Sequence, residues 1–141
     1  MIKRFLNSAI VYAILAMVGG VFYREFTKYL MFTGKTNLSL VHVHYFVLGM
    51  AFFLLLALLE KAFAFSAKKG VKGWLTVYHV GLNLTVICLI LRGLAQATQA
   101  TLSTGLNASL SGVSGIGHIL LGTAMLALLF LIRNTATKQP A

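Results

Sequence analysis

Four stretches of the chain, near residues 5–23, 38–59, 74–91 and 113–132, are almost continuously apolar. Each carries about 18 or more such residues, the length that crosses roughly 30 Å of hydrocarbon at about 1.5 Å rise per residue. Unbroken runs predict helices, because the strands of a membrane barrel alternate apolar and polar positions over about ten residues. The runs consume most of the 141 residues, and the single proline, Pro140, stands in the tail. An all-α fold follows: one integral membrane domain over 1–141, built as a four-transmembrane-helix bundle. The segment 23–37 mixes Arg24, Glu25 and Lys28 with aromatic residues, and it is expected to extend the first helix before Gly34 ends it. The segment 96–114 is long, uncharged and rich in Ser, Thr, Gly and Asn, and it reads either as a loop of the length that is often functional or as a flexible connector.

Composition agrees with a lipid environment: 59% of residues are apolar and only 10% charged, against about 25% charged in soluble domains. The formal net charge is +10. The basic residues sit in short loops between apolar runs and form no basic stripe, so they fit lipid headgroups and not nucleic acid. With the N-terminus inside, Lys3, Arg4, Lys61, Lys68, Lys69, Lys72, Arg133 and Lys138 fall on the inner side, and Arg24, Lys28, Lys35 and Arg92 on the outer side. That excess predicts that the N and C termini are both cytoplasmic. The first run follows Lys3 and Arg4 as a signal peptide would, but no A-x-A site succeeds it, which argues against cleavage. Cys88 is the one cysteine, so neither a disulfide framework nor a thiolate metal site is available.

Acids are scarce, Glu25 and Glu60 alone, and chemistry therefore falls to four histidines. His42, His44 and His118 lie near the outer ends of the second and fourth helices, and His79 lies toward the inner side of the third. His42 is about four residues into its helix and His118 about six, or roughly 6 and 9 Å, so the two share a level. At about 100° per residue, His42 and His44 are some 200° apart and point in different directions. The His42 face continues through Phe46, Gly49, Phe53 and Leu56, with a glycine one heptad below the histidine. The His44 face continues through Leu48, Ala51, Leu55 and Leu58 and looks like lipid or packing surface. His118 shares its stripe with Gly115, Gly122 and Met125. Small residues at this spacing suit close helix packing with histidine as interhelical glue. They equally make room for a flat macrocycle whose iron takes imidazole nitrogen as axial ligand.

Two histidines on opposing helices suit a bis-histidine haem b, with His42 and His118 as ligands to the iron and His44 as the alternative ligand. Gly49, Gly115 and Gly122 would admit the ring. Arg92 at the outer end of the third helix, and Arg24 with Lys28 on the first, are the cations available to the propionates; headgroup snorkelling is the other reading of Arg92. Zinc or copper held by three histidines is the alternative centre, against which the divergence of His42 and His44 counts. His79, with Asn83 one turn on and Tyr78 beside it, reads as a satisfied polar contact between helices.

Tyr23-Arg24-Glu25-Phe26-Thr27-Lys28, Gly34-Lys35-Thr36, His42-x-His44 with Leu48-Gly49-Met50, Arg92-Gly93 and Gly115-Ile116-Gly117-His118-Ile119 together resemble a family of small bacterial four-helix membrane proteins of unknown function. The resemblance covers nearly the whole chain and implies a multi-pass protein of the bacterial cytoplasmic membrane, with no activity attached. Locally, His42-Val-His44-Tyr-Phe-Val-Leu-Gly49 is similar to the second helix of haem-copper oxidase catalytic subunits of the cbb type and of NnrS-like proteins. That similarity implies His42 over His44 as the haem ligand; with a third of the helices and no histidine array for copper, it does not imply oxygen reduction.

The function expected is that of a membrane b-type haem protein serving electron transfer, haem handling or gas sensing. Copper or zinc binding or transport is the alternative, and a non-catalytic partner subunit a further one. The expected partners are the lipid bilayer, a homodimer, and a redox partner or quinone, with no nucleic acid. No nucleophile triad, phosphate loop or acid pair marks an enzyme.

Overall fold

A computed structural model describes residues 1–138; Pro140 lies outside the described residues. The fold is all-α. Its four long helices are α1 (Ile2–Tyr29), α2 (Leu38–Phe63), α3 (Val71–Ala97) and α4 (Thr104–Ala136), each long and apolar enough to cross a membrane. Their outward surfaces are apolar: Val21, Leu58 and Ile119 are 63%, 67% and 65% exposed, the surface that lipid rather than water would cover. α2 is central. It packs along α1 for its whole length, meets α3 at its start, and touches α4 along its Phe52–Phe63 half, while α3 and α4 form the most extensive pair.

Helix–helix approach is set by glycines. A Cβ on Gly81 would stand 2.6 Å from the Leu121 nitrogen, and one on Gly117 2.6 Å from Thr85 Oγ1, so α3 and α4 meet almost backbone to backbone, as small residues in membrane helices allow. Gly93 does the same where α2 begins: its Cβ would lie 2.5 Å from the Leu38 nitrogen. Thr36 Oγ1 donates to the Gly93 carbonyl there, at 2.7 Å. At the end holding both termini, Phe5 stacks on Phe65 with ring centres 5.8 Å apart. Ala64 closes α2 in the left-handed conformation (φ 48°), and Glu60 accepts from the Ser66 amide at 2.9 Å and from its hydroxyl.

Two local features depart from the sequence expectation. Residues 45–51 of α2 are π-helical (Tyr45–Ala51), a widened turn of the kind that gathers at functional sites. Tyr78, fully buried, donates its hydroxyl to the Leu48 carbonyl at 2.7 Å, which gives this turn a partner on α3. The other departure concerns 96–114. Most of this stretch is helix: the connector runs only from Thr98 to Ser103, and α4 begins at Thr104. Ser103 caps it by accepting from the Leu106 amide at 3.3 Å, and the polar residues of the first turns hydrogen-bond to Arg92.

Candidate functional site

α2 and α4 diverge toward the end opposite the termini, and two histidines reach across. The rings of His44 and His118 lie 6.3 Å apart, centre to centre, with an angle of 85° between their planes. Each ring is anchored to its own helix: His44 Nδ1 lies 2.9 Å from the Leu40 carbonyl, and His118 Nδ1 lies 2.8 Å from the Ser114 carbonyl. A carbonyl only accepts, so in both rings Nδ1 carries the hydrogen. The neutral tautomer then leaves Nε2 as a lone pair, the state in which imidazole binds a metal. His118 is exposed and His44 half-buried on this face.

His42 does not join them. It lies along α1, where a Cβ on Gly20 would stand 3.6 Å from the His42 Cβ, and its Nδ1 is buried without a hydrogen-bond partner. The face grouping read from the sequence is sound, since Gly49 also turns to α1: a Cβ there would lie 2.6 Å from Tyr12 Cβ and Cγ. That face meets α1 rather than α4, because α2 is wedged between the two and both of its faces have helix neighbours. Gly49 thus seats Tyr12. Gly115 and Gly122 behave as open positions, with nothing within 4 Å of an added Cβ, and Gly112 shares the property.

Arg92 stands at the same end. Its Nη2 donates to the Asn107 carbonyl at 3.0 Å, to Asn107 Oδ1 at 2.9 Å and to Ser111 Oγ at 2.8 Å. Asn107, Ser111, Ser114 and His118 fall on one stripe of α4, and Ser111 is two turns, or about 10 Å, from His118. Arg24 is elsewhere: it is exposed on α1 and pairs with Glu25 at 3.8 Å. Among the described residues no group of three or more His, Cys, Asp or Glu side chains is placed to hold a metal ion.

A second polar cluster crosses the middle of the bundle, and sequence reasoning found only half of it. Asn83 Nδ2 donates to the His79 carbonyl at 2.8 Å, which fixes the amide: Nδ2 also donates to Tyr12 Oη at 3.1 Å, and Oδ1 accepts from Tyr45 Oη at 3.1 Å. The Tyr12 hydroxyl is left to donate to His79 Nδ1, at 2.6 Å. Neutral His79 therefore carries its hydrogen on Nε2, the reverse of the His44 and His118 rings. Phe53 stacks on it at 4.6 Å. Tyr12 and Tyr45 complete the cluster; a tyrosine in the middle of an apolar run is the sequence signal for them, since its hydroxyl needs a partner. Tyr12→Phe is expected to destabilise the fold by about 1–2 kcal/mol, because it strands both His79 Nδ1 and an Asn83 N–H. Tyr45→Phe, which breaks one bond, is expected to cost less; unfolding of the two purified variants side by side measures the difference.

No curated protein and no solved structure matches the chain. The model of one family does, over residues 2–135. By that match, which takes in all four helices and both histidine layers, the chain belongs to DUF2871, a family described as proteins of unknown function.

Proposed function

We propose that the protein binds haem b between α2 and α4, where His44 and His118 would hold its iron, near the outer face of a bacterial cytoplasmic membrane with both termini inside. One observation carries this reading: the two rings stand 6.3 Å apart, each with Nδ1 committed to its own helix. A metal lies about 2.0–2.1 Å from an imidazole nitrogen that binds it, so two rings with centres 6.3 Å apart are near enough to hold one ion between them.

The rest of the donor set favours a macrocycle over a bare ion. Zinc and copper sites draw three or four protein ligands, and among the described residues no third His, Cys, Asp or Glu joins this pair. Haem brings four nitrogens of its own and asks the protein for two. Its ring needs space, and the open positions at Gly112, Gly115 and Gly122 flank His118 on α4. Its propionates need a cation, and Arg92 has Nε and Nη1 to offer beyond the bonds made by Nη2. Bound haem would supply one-electron or gas-binding chemistry; a redox partner or quinone would exchange electrons with it, and lipid or a second copy of the chain would cover its open edge.

The test is an absorption spectrum of protein purified from haem-replete cells. A Soret band, red-shifted on reduction and present at about one haem per chain, is expected. Stoichiometric copper or zinc without a Soret band would overturn the reading.

A further inference from the structure

We propose that the groove between α1 and α3 at the termini end is a site for an anionic phospholipid, its phosphate held by Arg4 and Lys72 and one acyl chain lying along α1. A cavity of about 390 Å³ opens there, lined by the exposed Arg4 and Lys72 together with Phe5, Phe53, Leu75 and His79. A second cavity, of about 280 Å³, shares Asn7, Ser8 and His79 with the first and continues past Tyr12 to Val11 and Leu15. The two form one track, cationic at the membrane surface and apolar at depth. From Arg4 to Leu15 the track rises 11 residues, about 16 Å, close to half of a hydrocarbon core of roughly 30 Å and so to the reach of one acyl chain in one leaflet.

The charges select the headgroup. Arg4 and Lys72 are exposed, and among the described residues the ion pairs are those of the Met1 amino group with Glu60 and of Arg24 with Glu25, which leaves both rim cations without a carboxylate. An arginine fork accepts a phosphate in two-point fashion, and a lysine beside it adds a point charge. Below the phosphate, a glycerolipid carries ester carbonyls, which only accept hydrogen bonds. The Tyr45–Asn83–Tyr12 chain sets His79 with its hydrogen on Nε2, so this side chain offers the donor that an ester needs. A zwitterionic lipid would bring a quaternary amine to the same two cations and be disfavoured. None of this depends on haem.

The experiment is native mass spectrometry of the full chain released from nanodiscs containing equal phosphatidylglycerol and phosphatidylcholine. One phosphatidylglycerol retained in roughly tenfold preference is expected, since each basic residue near the surface adds to anionic-lipid affinity. Arg4→Gln with Lys72→Gln should bring the preference to parity with helicity unchanged, as both side chains are exposed. Ser8→Phe keeps the charges but fills the track, and it should lose the retained lipid. Parity in the unsubstituted protein would overturn the proposal, as would a preference that survives the double substitution. Displacement of the lipid by inorganic phosphate alone would also overturn it, by marking a free-anion site.

Discussion

His44→Ala and His118→Ala are each expected to abolish the low-spin haem spectrum, whereas His42→Ala is expected to leave it in place. The expectation separates two histidines only two residues apart. His44 Nε2 is free and its ring is within 6.3 Å of His118, while His42 packs against Gly19 and Gly20 of α1, on the other side of α2. Loss of a supporting hydrogen bond to a metal ligand typically costs about 10–100-fold in affinity, so loss of the ligand itself should exceed that range. The measurement is haem retained per chain after purification, beside the Soret position. A spectrum lost with His42→Ala and kept with His44→Ala would restore the pairing that the second-helix resemblance implied. A full spectrum in both single variants would remove haem ligation from this layer altogether.

The reason the two histidines were hard to tell apart lies in packing that no single helix encodes. Helical spacing correctly groups His42 with Gly49, and His44 with the opposite face. What it lacks is the identity of the neighbour on each side. In a closed bundle one face of each helix points inward and the other to lipid, which favours the histidine on the glycine-bearing face. Here α2 lies between α1 and the α3–α4 pair, so the face that looked like lipid surface reaches His118. Gly19-Gly20 on α1 held the clue, since a close pair of glycines prepares a seat for a helix, and His42 takes it.

The spans themselves were legible because hydrocarbon thickness dictates run length. The start of α4 was not, because its first turns are polar and are held by contacts outside the apolar run. Ser103 caps the helix, and Arg92, 15 and 19 residues before its partners Asn107 and Ser111, ties it to α3. The Nη2 of Arg92, a residue the sequence offers to haem propionates, is engaged in holding α4 to α3. The Tyr12–His79 bond joins residues 67 positions apart, and only the assembled bundle puts them together.

Gly81→Ala is expected to cost about 2 kcal/mol of stability and Gly115→Ala to gain up to about 1 kcal/mol, although both exchange a helical glycine for the best helix former. Propensity alone favours alanine by about 1 kcal/mol at either site. Contact decides the sign. The methyl on residue 81 would enter within 2.6 Å of the Leu121 nitrogen and 3.0 Å of the Gly117 carbonyl and Leu121 Cα. These are backbone atoms and cannot rotate away, so α3 and α4 must separate along the most extensive helix pair in the molecule, a large case of overpacking, which usually costs about 1–3 kcal/mol. The methyl on residue 115 meets nothing within 4 Å. Thermal unfolding of both variants in one detergent gives the comparison, and equal stabilities would mean that α3 and α4 approach less closely than the 2.6 Å contact at this point implies. Haem retention adds a second axis to the same pair. If haem is bound as proposed, Gly115→Phe should keep the stability of the fold and lose the haem, because a ring placed beside His118 would occupy the space a macrocycle would need; Gly81→Ala should lose stability first, and haem only as far as α4 moves His118 away from His44.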